Sequence, residues 1–352
     1  MRKYIKFIIL LLVAVFILWF FGRSLDWQMV RASLARANAW YLTTAVLIIC
    51  AGYLLRAVRW QVLLSPITPS SLKELFATTT VGYAGVFLIG RAAEIIRPMW
   101  LPMRDKRVRP SAAVVTLAIE RGFDFASLIS FFAFNILFFT APPGRESEFE
   151  FVEIVGFLML AGVLAGFIFL FFYQRISDRF IGWTERVCRK LRIPARIRKI
   201  IVSILKHLAA AVGVLRNWRQ FMLATFWTLT LWFSIAIPTW LVLLAFDMPF
   251  TFADSLFIMG IAAFSSLIPT PGGAAGAFHT GTAASILFLN SSISREDAAA
   301  ASIVMHLVYF APAIVFGLYY FVHGDISVER FRSLLSSEHA VEEIESDAPD
   351  PK

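Results

Sequence analysis

Several charged side chains of this sequence stand inside apolar segments, at spacings that place them on shared helix faces. Arg56 and Arg59 are one helical turn apart in one apolar run, and Glu120 and Asp124 are four residues apart in another. Residues at both spacings are neighbours on a helix surface. Ionisable groups inside a membrane are costly and usually mark function, and guanidinium groups bind phosphate through paired hydrogen bonds. The pattern therefore indicates a site for an anionic ligand.

A third cluster repeats a charged residue at every third position, from Arg91 to Arg97, and Arg121 directly follows Glu120. Two interpretations stay open: a phosphate site and an internal salt-bridge network. The arginines of the first run could also extend toward lipid headgroups. A purely structural network would tend to neutrality, so the surplus of arginines favours an anionic ligand. The groups counted are Arg56, Arg59, Arg91, Arg97 and Arg121 against Glu94, Glu120 and Asp124.

A helix-breaking segment in the second half of the chain holds Pro269, Pro271, Gly272 and Gly273. Proline removes a helix hydrogen bond, and glycine lets the backbone approach a ligand closely. Half-helices that begin there would present free N–H groups, which attract anions. His279 follows and could carry a proton, although a lone histidine in an apolar helix more often packs in the core. We include these five residues in the predicted substrate site, and we predict neither a metal nor a cofactor.

The elements that must position these residues are membrane helices. Of the 352 residues, 59% are hydrophobic and 16% are charged, and the mean hydropathy is +0.72. Soluble proteins contain about 25% charged residues, and a membrane crossing needs roughly 20 apolar residues. Long unbroken apolar runs favour helices over barrel strands. We predict an all-α polytopic membrane protein with full spans at 4–22, 39–64, 111–140, 152–173, 221–246 and 298–322.

Residues 73–104 and 252–290 are predicted to form two re-entrant helical hairpins. Basic loops lie on the cytoplasmic side of membranes, so the basic loop 174–220 and the cluster from Arg104 to Arg109 are assigned to that side. The count of crossings then requires each hairpin segment to cross twice or not at all. Hairpins that enter from opposite faces are expected of an inverted repeat with a site at the midplane.

The sequence becomes acidic after the last predicted span. We therefore divide the chain into a membrane-embedded domain, residues 1–323, and an acidic tail, residues 324–352, which we expect to be disordered. Both termini are expected in the cytoplasm. The basic loop lacks the aromatic pattern of nucleic-acid recognition, so we predict no nucleic-acid partner.

Enzyme signatures are missing from the sequence: it has no nucleophile elbow, no zinc-protease motif and no phosphate-binding glycine loop. The nearest approach to catalysis is the pair Glu120 and Asp124, whose spacing resembles the acidic motif of integral undecaprenyl-diphosphate phosphatases. We therefore predict that the protein is not an enzyme, with a lipid phosphatase that uses this pair as the alternative.

Four motifs follow one another along the chain: Leu55-Arg56-Ala-Val-Arg59-Trp60, Gly90-Arg91-Ala-Ala-Glu94-Ile-Ile-Arg97-Pro98, Glu120-Arg121-Gly-Phe-Asp124 and Pro269-Thr-Pro271-Gly272-Gly273. This ordered set resembles the lysylphosphatidylglycerol synthase transmembrane-region family, the flippase-like domain of bacterial multiple-peptide-resistance proteins. The resemblance covers roughly residues 4–322. The sequence departs from the family at Ile89, where a proline is usual, and after Gly273, where an acid often follows.

This resemblance implies a flippase-like role in the bacterial cytoplasmic membrane. The expected function is a lipid translocase that moves a phosphate-bearing lipid between leaflets and binds a phospholipid or another anionic lipid. The family's aminoacyl transferase domain has no counterpart in this sequence, so lipid aminoacylation is not expected. A third hypothesis is that the protein is a scaffold for a lipid-modifying enzyme. A second copy of the chain, in a homo-oligomer, is a further expected partner.

Overall fold

The computed structural model describes residues 27–138, 146–191, 218–268 and 271–324, together with residues 198, 202 and 205. Every regular element in these ranges is helical. The predicted all-α fold is therefore confirmed. Three predicted segments lie wholly or partly outside the described residues: the first span at 4–22, about half of the basic loop 174–220, and residues 325–352 of the tail.

The described residues up to residue 138 form five α-helices and one short 3₁₀ helix, which occupies Arg91–Ile95. Asn38 caps the second α-helix and Ser71 caps the third, and each side-chain oxygen accepts a hydrogen bond from a backbone N–H of the first turn. The α-helices are α1 (Trp27–Arg36), α2 (Ala39–Leu64), α3 (Leu72–Ile89), α4 (Ile96–Arg104) and α5 (Pro110–Phe138).

From residue 146 onward, the part of the chain that the structure describes also forms five α-helices. Thr251 and Asp254 start one of them with a reciprocal capping box, in which each side chain bonds the other residue's backbone N–H. Ser294 caps the last helix. The helices are α6 (Glu146–Lys190), α7 (Trp218–Ala245), α8 (Phe252–Ser265), α9 (Pro271–Leu289) and α10 (Arg295–His323).

Among the helices of the described ranges, α2, α7 and α10 are long and apolar enough to cross a membrane. The 29 residues of α5 also exceed the length of one crossing, although charged residues interrupt its apolar surface. The predicted span at 152–173 lies within α6. That helix continues beyond the predicted span to Lys190: composition changes from apolar to basic near residue 173, but the helical backbone does not stop.

Residues 72–104 fold into a helical hairpin, named here the first hairpin, with its turn at Gly90. That residue has φ 92° and ψ −171°, a conformation that essentially only glycine adopts without strain. The two arms pack closely, since a side chain added at Gly82 would overlap that of Arg97. An ion pair between Glu74 and Arg104 joins the open end of the hairpin.

The second hairpin consists of α8 and α9. The Phe257 and Phe288 rings stack across it, with centroids 5.9 Å apart. At Gly281 a side chain would overlap Ser265 of the facing arm. The predicted breakers Pro269 and Thr270 between the arms lie outside the described residues, and Pro271 begins α9. Both segments are thus helix, break and helix, while their re-entry into the membrane stays a prediction.

The two halves share one order of elements: a long helix, a hairpin and a second long helix. The first arm of each hairpin packs against the last helix of the other half. Each contact includes a glycine at which a side chain would overlap the facing helix: Gly260 of α8 faces Phe132 of α5, and Gly317 of α10 faces Thr80 of α3. Such reciprocal packing, in which each half places its hairpin against the last helix of the other half, is the pattern that a two-fold repeat produces. The opposite membrane orientation of the halves stays a prediction.

Candidate functional site

Arg59 lies at the centre of a buried ion-pair cluster. Its side chain is 0% exposed, and its Nη2 lies 3.2 Å from Oδ2 of Asp124 and 3.2 Å from Oε1 of Glu120. Its Nη1 also donates to Thr228, at 3.4 Å. One guanidinium therefore joins α2 to α5 and α7, and both acids of the Glu-x-x-x-Asp motif are its partners.

Arg97 approaches the same cluster from the first hairpin. Its Nη1 and Nη2 lie 2.7 and 3.1 Å from the two carboxylate oxygens of Glu120, a bidentate pair of the stronger kind. The guanidinium also lies 4.4 Å from the centre of the Trp60 ring, within the range of a cation–π contact. Arg59 and Arg97 are thus engaged inside the protein, which favours the salt-bridge interpretation for these two arginines.

A cavity of about 230 Å³ lies beside this cluster. Its polar end is formed by four charged residues, Arg56, Glu94, Arg121 and Asp124, and by the phenol of Tyr83. The remainder is mainly apolar and draws residues from α2, α5, α7, α10 and both hairpins. Examples are Ile49, Leu128, Trp232, Met259, Phe278 and Phe310. The cavity therefore has one charged end and apolar walls, and both hairpins reach it.

Arg56 faces the cavity from α2. Its Nη1 donates a 2.7 Å hydrogen bond to Tyr83 Oη, and its guanidinium lies 4.6 Å from the centre of the same ring. Within the described part of the chain, no carboxylate lies within ion-pair distance of Arg56. Its charge is therefore directed at the cavity.

Arg121 also faces the cavity, at looser contacts. Its nitrogens lie 3.5 Å from Glu120, 3.5 Å from Asp124 and 3.8 Å from Glu94. These separations exceed ordinary charge-assisted hydrogen bonds of about 2.7–2.9 Å. The side chain is 33% exposed. Arg121 thus binds the carboxylates less tightly than Arg59 and Arg97 do, and it is open to the cavity.

The charges of the cluster do not balance within the described side chains. Four arginines, Arg56, Arg59, Arg97 and Arg121, lie with only three carboxylates, those of Glu94, Glu120 and Asp124. The backbone of Arg91 belongs to the 3₁₀ helix, but its side chain is outside the description. The described surplus is one positive charge, and Arg56 is the arginine that lacks an acid.

The predicted residues of the second hairpin are only partly placed. Pro269 lies outside the described residues, while Pro271, Gly272 and Gly273 form the start of α9. His279 does not line the cavity: its Nδ1 lies 3.4 Å from Ser302 Oγ, and its ring lies 4.9 Å from that of His306. The neighbouring Phe278 lines the cavity in its place.

Tyr83 is the site residue that the sequence analysis missed. It stands between Gly82 and Gly85 in the first hairpin, and no charge or helix-breaking motif includes it. A tyrosine one residue from a glycine of a predicted hairpin was the only available signal. Across the described ranges, no group of three or more His, Cys, Asp or Glu side chains is arranged to hold a metal ion.

The sequence matches the family described as Lysylphosphatidylglycerol synthase TM region over residues 7–317. Because this match covers most of the chain, the protein belongs to that family, and the resemblance of its four motifs is confirmed. Membership assigns the chain to membrane proteins with a lipid-related function. No curated protein matches the chain significantly.

Proposed function

We propose that this member of the lysylphosphatidylglycerol synthase TM region family is a lipid translocase, which moves a phosphate-bearing lipid between the leaflets of the bacterial cytoplasmic membrane. One observation carries the proposal: a single cavity presents Arg56 and Arg121 at one end and apolar walls elsewhere. Guanidinium groups suit phosphate oxygens, and apolar walls suit the glycerol and acyl portion of a lipid.

The size of the cavity supports a headgroup site. Pockets that enclose a whole small molecule measure roughly 300–1,000 Å³. At about 230 Å³ this cavity is smaller, so it suits a part of a lipid and not the whole molecule. A phosphate headgroup fits a space of this size, and the acyl chains would stay in the surrounding lipid. Binding in such a site lowers the cost of carrying a charged group through the bilayer.

The ion pairs of Glu120 and Asp124 weigh against the phosphatase alternative. A carboxylate that acts as a nucleophile or general base must reach the reacting group. Both oxygens of Glu120 bind Arg97, and both oxygens of Asp124 bind Arg59. We therefore propose transport without covalent chemistry.

The proposal includes an orientation in the membrane. The cluster at Arg104, Lys106 and Arg107 and the basic end of α6 would face the cytoplasm, in accordance with the positive-inside rule. Both termini would then be cytoplasmic. A lipid-modifying enzyme as partner, or a second copy of this chain, is compatible with this arrangement.

Reconstituted vesicles test the proposed function. Purified protein should redistribute a labelled phosphatidylglycerol between leaflets, and Arg56→Gln should slow this movement, whereas Arg36→Gln on exposed α1 should not. Equal rates in protein-containing and empty vesicles would refute transport. Phosphate release from an isoprenyl diphosphate in protein-containing vesicles, but not in empty ones, would establish the phosphatase instead.

A further inference from the structure

The phenol of Tyr83 holds a position that the charge motifs do not explain. Its oxygen accepts hydrogen bonds from two different arginines, at 2.7 Å from Arg56 Nη1 and 3.4 Å from Arg121 Nη2. The two guanidiniums come from α2 and α5, and the tyrosine comes from the first hairpin. Tyr83 is therefore the group that holds the two cavity arginines toward one point.

The hydrogen-bonding capacity of a phenol determines what Tyr83 can do next. A tyrosine hydroxyl has one O–H donor in addition to its acceptor lone pairs, and guanidiniums only donate. Both arginines occupy the acceptor side of Oη, so the O–H hydrogen must be donated elsewhere. Tyr83 lines the cavity, which provides a direction in which a ligand could accept that hydrogen.

We propose that Tyr83 is a ligand-binding and specificity-determining residue, whose hydroxyl donates to an anionic phosphate oxygen held between Arg56 and Arg121. The inference rests on the proposed function and adds a third donor to the headgroup site. Two guanidiniums alone attract any anion, whereas a neutral hydroxyl donor at a fixed place favours a ligand whose oxygens match all three donors.

The ring of Tyr83 contributes separately from its hydroxyl. The centre of the ring lies 4.6 Å from the Arg56 guanidinium and 5.8 Å from the Arg97 guanidinium. Tyr83→Phe keeps these cation–π contacts and removes only the hydroxyl. Tyr320→Phe is the matched control, because Tyr320 is half-buried on α10, packs against Phe76 and does not line the cavity.

The experiment is a binding titration of the full chain in detergent with short-chain phosphatidylglycerol, the matching diacylglycerol and inorganic phosphate. A hydrogen bond to a charged group contributes enough to change affinity about tenfold or more. We expect Tyr83→Phe to weaken phosphatidylglycerol binding by about that factor, to leave diacylglycerol binding unchanged and so to reduce the selectivity between them. Tyr320→Phe should retain the wild-type selectivity.

The outcomes separate the two proposals. Wild-type protein that neither binds nor moves phospholipid would refute the proposed function, whereas transport with unchanged selectivity in Tyr83→Phe would overturn only the role of Tyr83. Inorganic phosphate that binds as tightly as the lipid, and depends equally on Tyr83, would support the three-donor site and contradict a lipid as its ligand.

A second measurement uses the wild-type chain, in case Tyr83→Phe does not fold. Nitration of tyrosine rings, followed residue by residue by peptide mass spectrometry, reports whether a ligand covers Tyr83. We expect phosphatidylglycerol to slow nitration of Tyr83 more than diacylglycerol does, and to leave Tyr320 unaffected. Equal protection by both lipids would contradict donation to phosphate.

Discussion

Arg97 and Glu120 form a bidentate ion pair, at 2.7 and 3.1 Å, between the returning arm of the first hairpin and the centre of α5. Both side chains are almost completely buried. The same carboxylate also contacts Arg59 of α2. Glu120 thus links three elements of the first half, which gives the hairpin a fixed position beside the cavity.

Glu120→Gln should destabilise the protein severely. The substitution leaves two buried guanidiniums with one carboxylate fewer, and breaking a buried pair costs about 3–5 kcal/mol. Thermal unfolding in detergent measures the loss. Glu185→Gln is the control, since Glu185 forms an exposed pair with Arg189 and such pairs contribute about 0–1 kcal/mol. Similar melting temperatures for both variants would contradict a structural role of Glu120.

Gly90→Ala should destabilise the turn of the first hairpin. A residue with a side chain at φ 92° and ψ −171° is strained, at a cost of about 1–3 kcal/mol. Gly122→Ala on α5 is the control, because a Cβ at that helical position meets no atom within 4 Å, and alanine there should stabilise the helix by roughly 0.5–1 kcal/mol. If both substitutions changed the free energy of unfolding in the same direction, the glycine requirement at the turn would be disproved.

The sequence was sufficient to predict the elements but not the partners of each charge. Arg56 and Arg59 were correctly expected on one helix, yet Arg59 packs against α5 while Arg56 contacts Tyr83 and the cavity. One turn of helix separates a structural ion pair from the proposed ligand site, because Arg59 meets Asp124 of α5 while Arg56 meets Tyr83 of the first hairpin. Local spacing contains no information about those distant neighbours.

The end of α6 shows a second limit of local patterns. Membrane spans are recognised by apolar composition, which stops near residue 173. Lysine, arginine and glutamate are good helix formers, so the helix continues through the basic residues to Lys190. Hydropathy therefore predicted the apolar portion of α6 and not the helix itself.

Cysteine labelling tests the re-entrant topology. In a background without Cys50 and Cys188, Lys73→Cys and Lys106→Cys flank the first hairpin, and both should react with an impermeant thiol reagent from the cytoplasmic side. The matching positions of the second hairpin, Ala253→Cys and Ser291→Cys, should react from the other side, since an inverted repeat opens its hairpins on opposite faces. Labelling of Lys73→Cys and Lys106→Cys from different sides would show a straight crossing.

Asp105 should make the stability of the first hairpin's base depend on pH. Hydrogen bonds from Arg107 and Ser70 hold the pKa of Asp105 below its ordinary value, so the folded state favours the ionised form. This stabilisation is complete above the ordinary pKa of about 4 and is lost as pH falls through the lower folded pKa. The melting temperatures of wild type and Asp105→Asn should differ at neutral pH and converge on acidification. A difference in melting temperature that stays constant as pH falls would exclude ionised Asp105 as its cause.

Arg121 separates a headgroup site from a purely structural network. Its contacts with acids are 3.5–3.8 Å long, so Arg121→Lys should retain the fold. Lysine keeps the charge but loses the planar fork that grips phosphate with two hydrogen bonds. Hydrogen bonds to charged groups contribute about 1.5–3 kcal/mol, which predicts a decrease in phospholipid transport of about tenfold or more.

Transport in vesicles and melting in detergent must be measured on the same preparations of Arg121→Lys and Arg121→Ala. The control is Arg189→Lys, at the exposed pair with Glu185, which should change neither quantity. A ligand-binding arginine loses transport in both variants while the melting temperature of Arg121→Lys stays near that of the wild type. An arginine that only neutralises Glu94, Glu120 and Asp124 would lose stability and transport in parallel, and that result would remove Arg121 from the headgroup site.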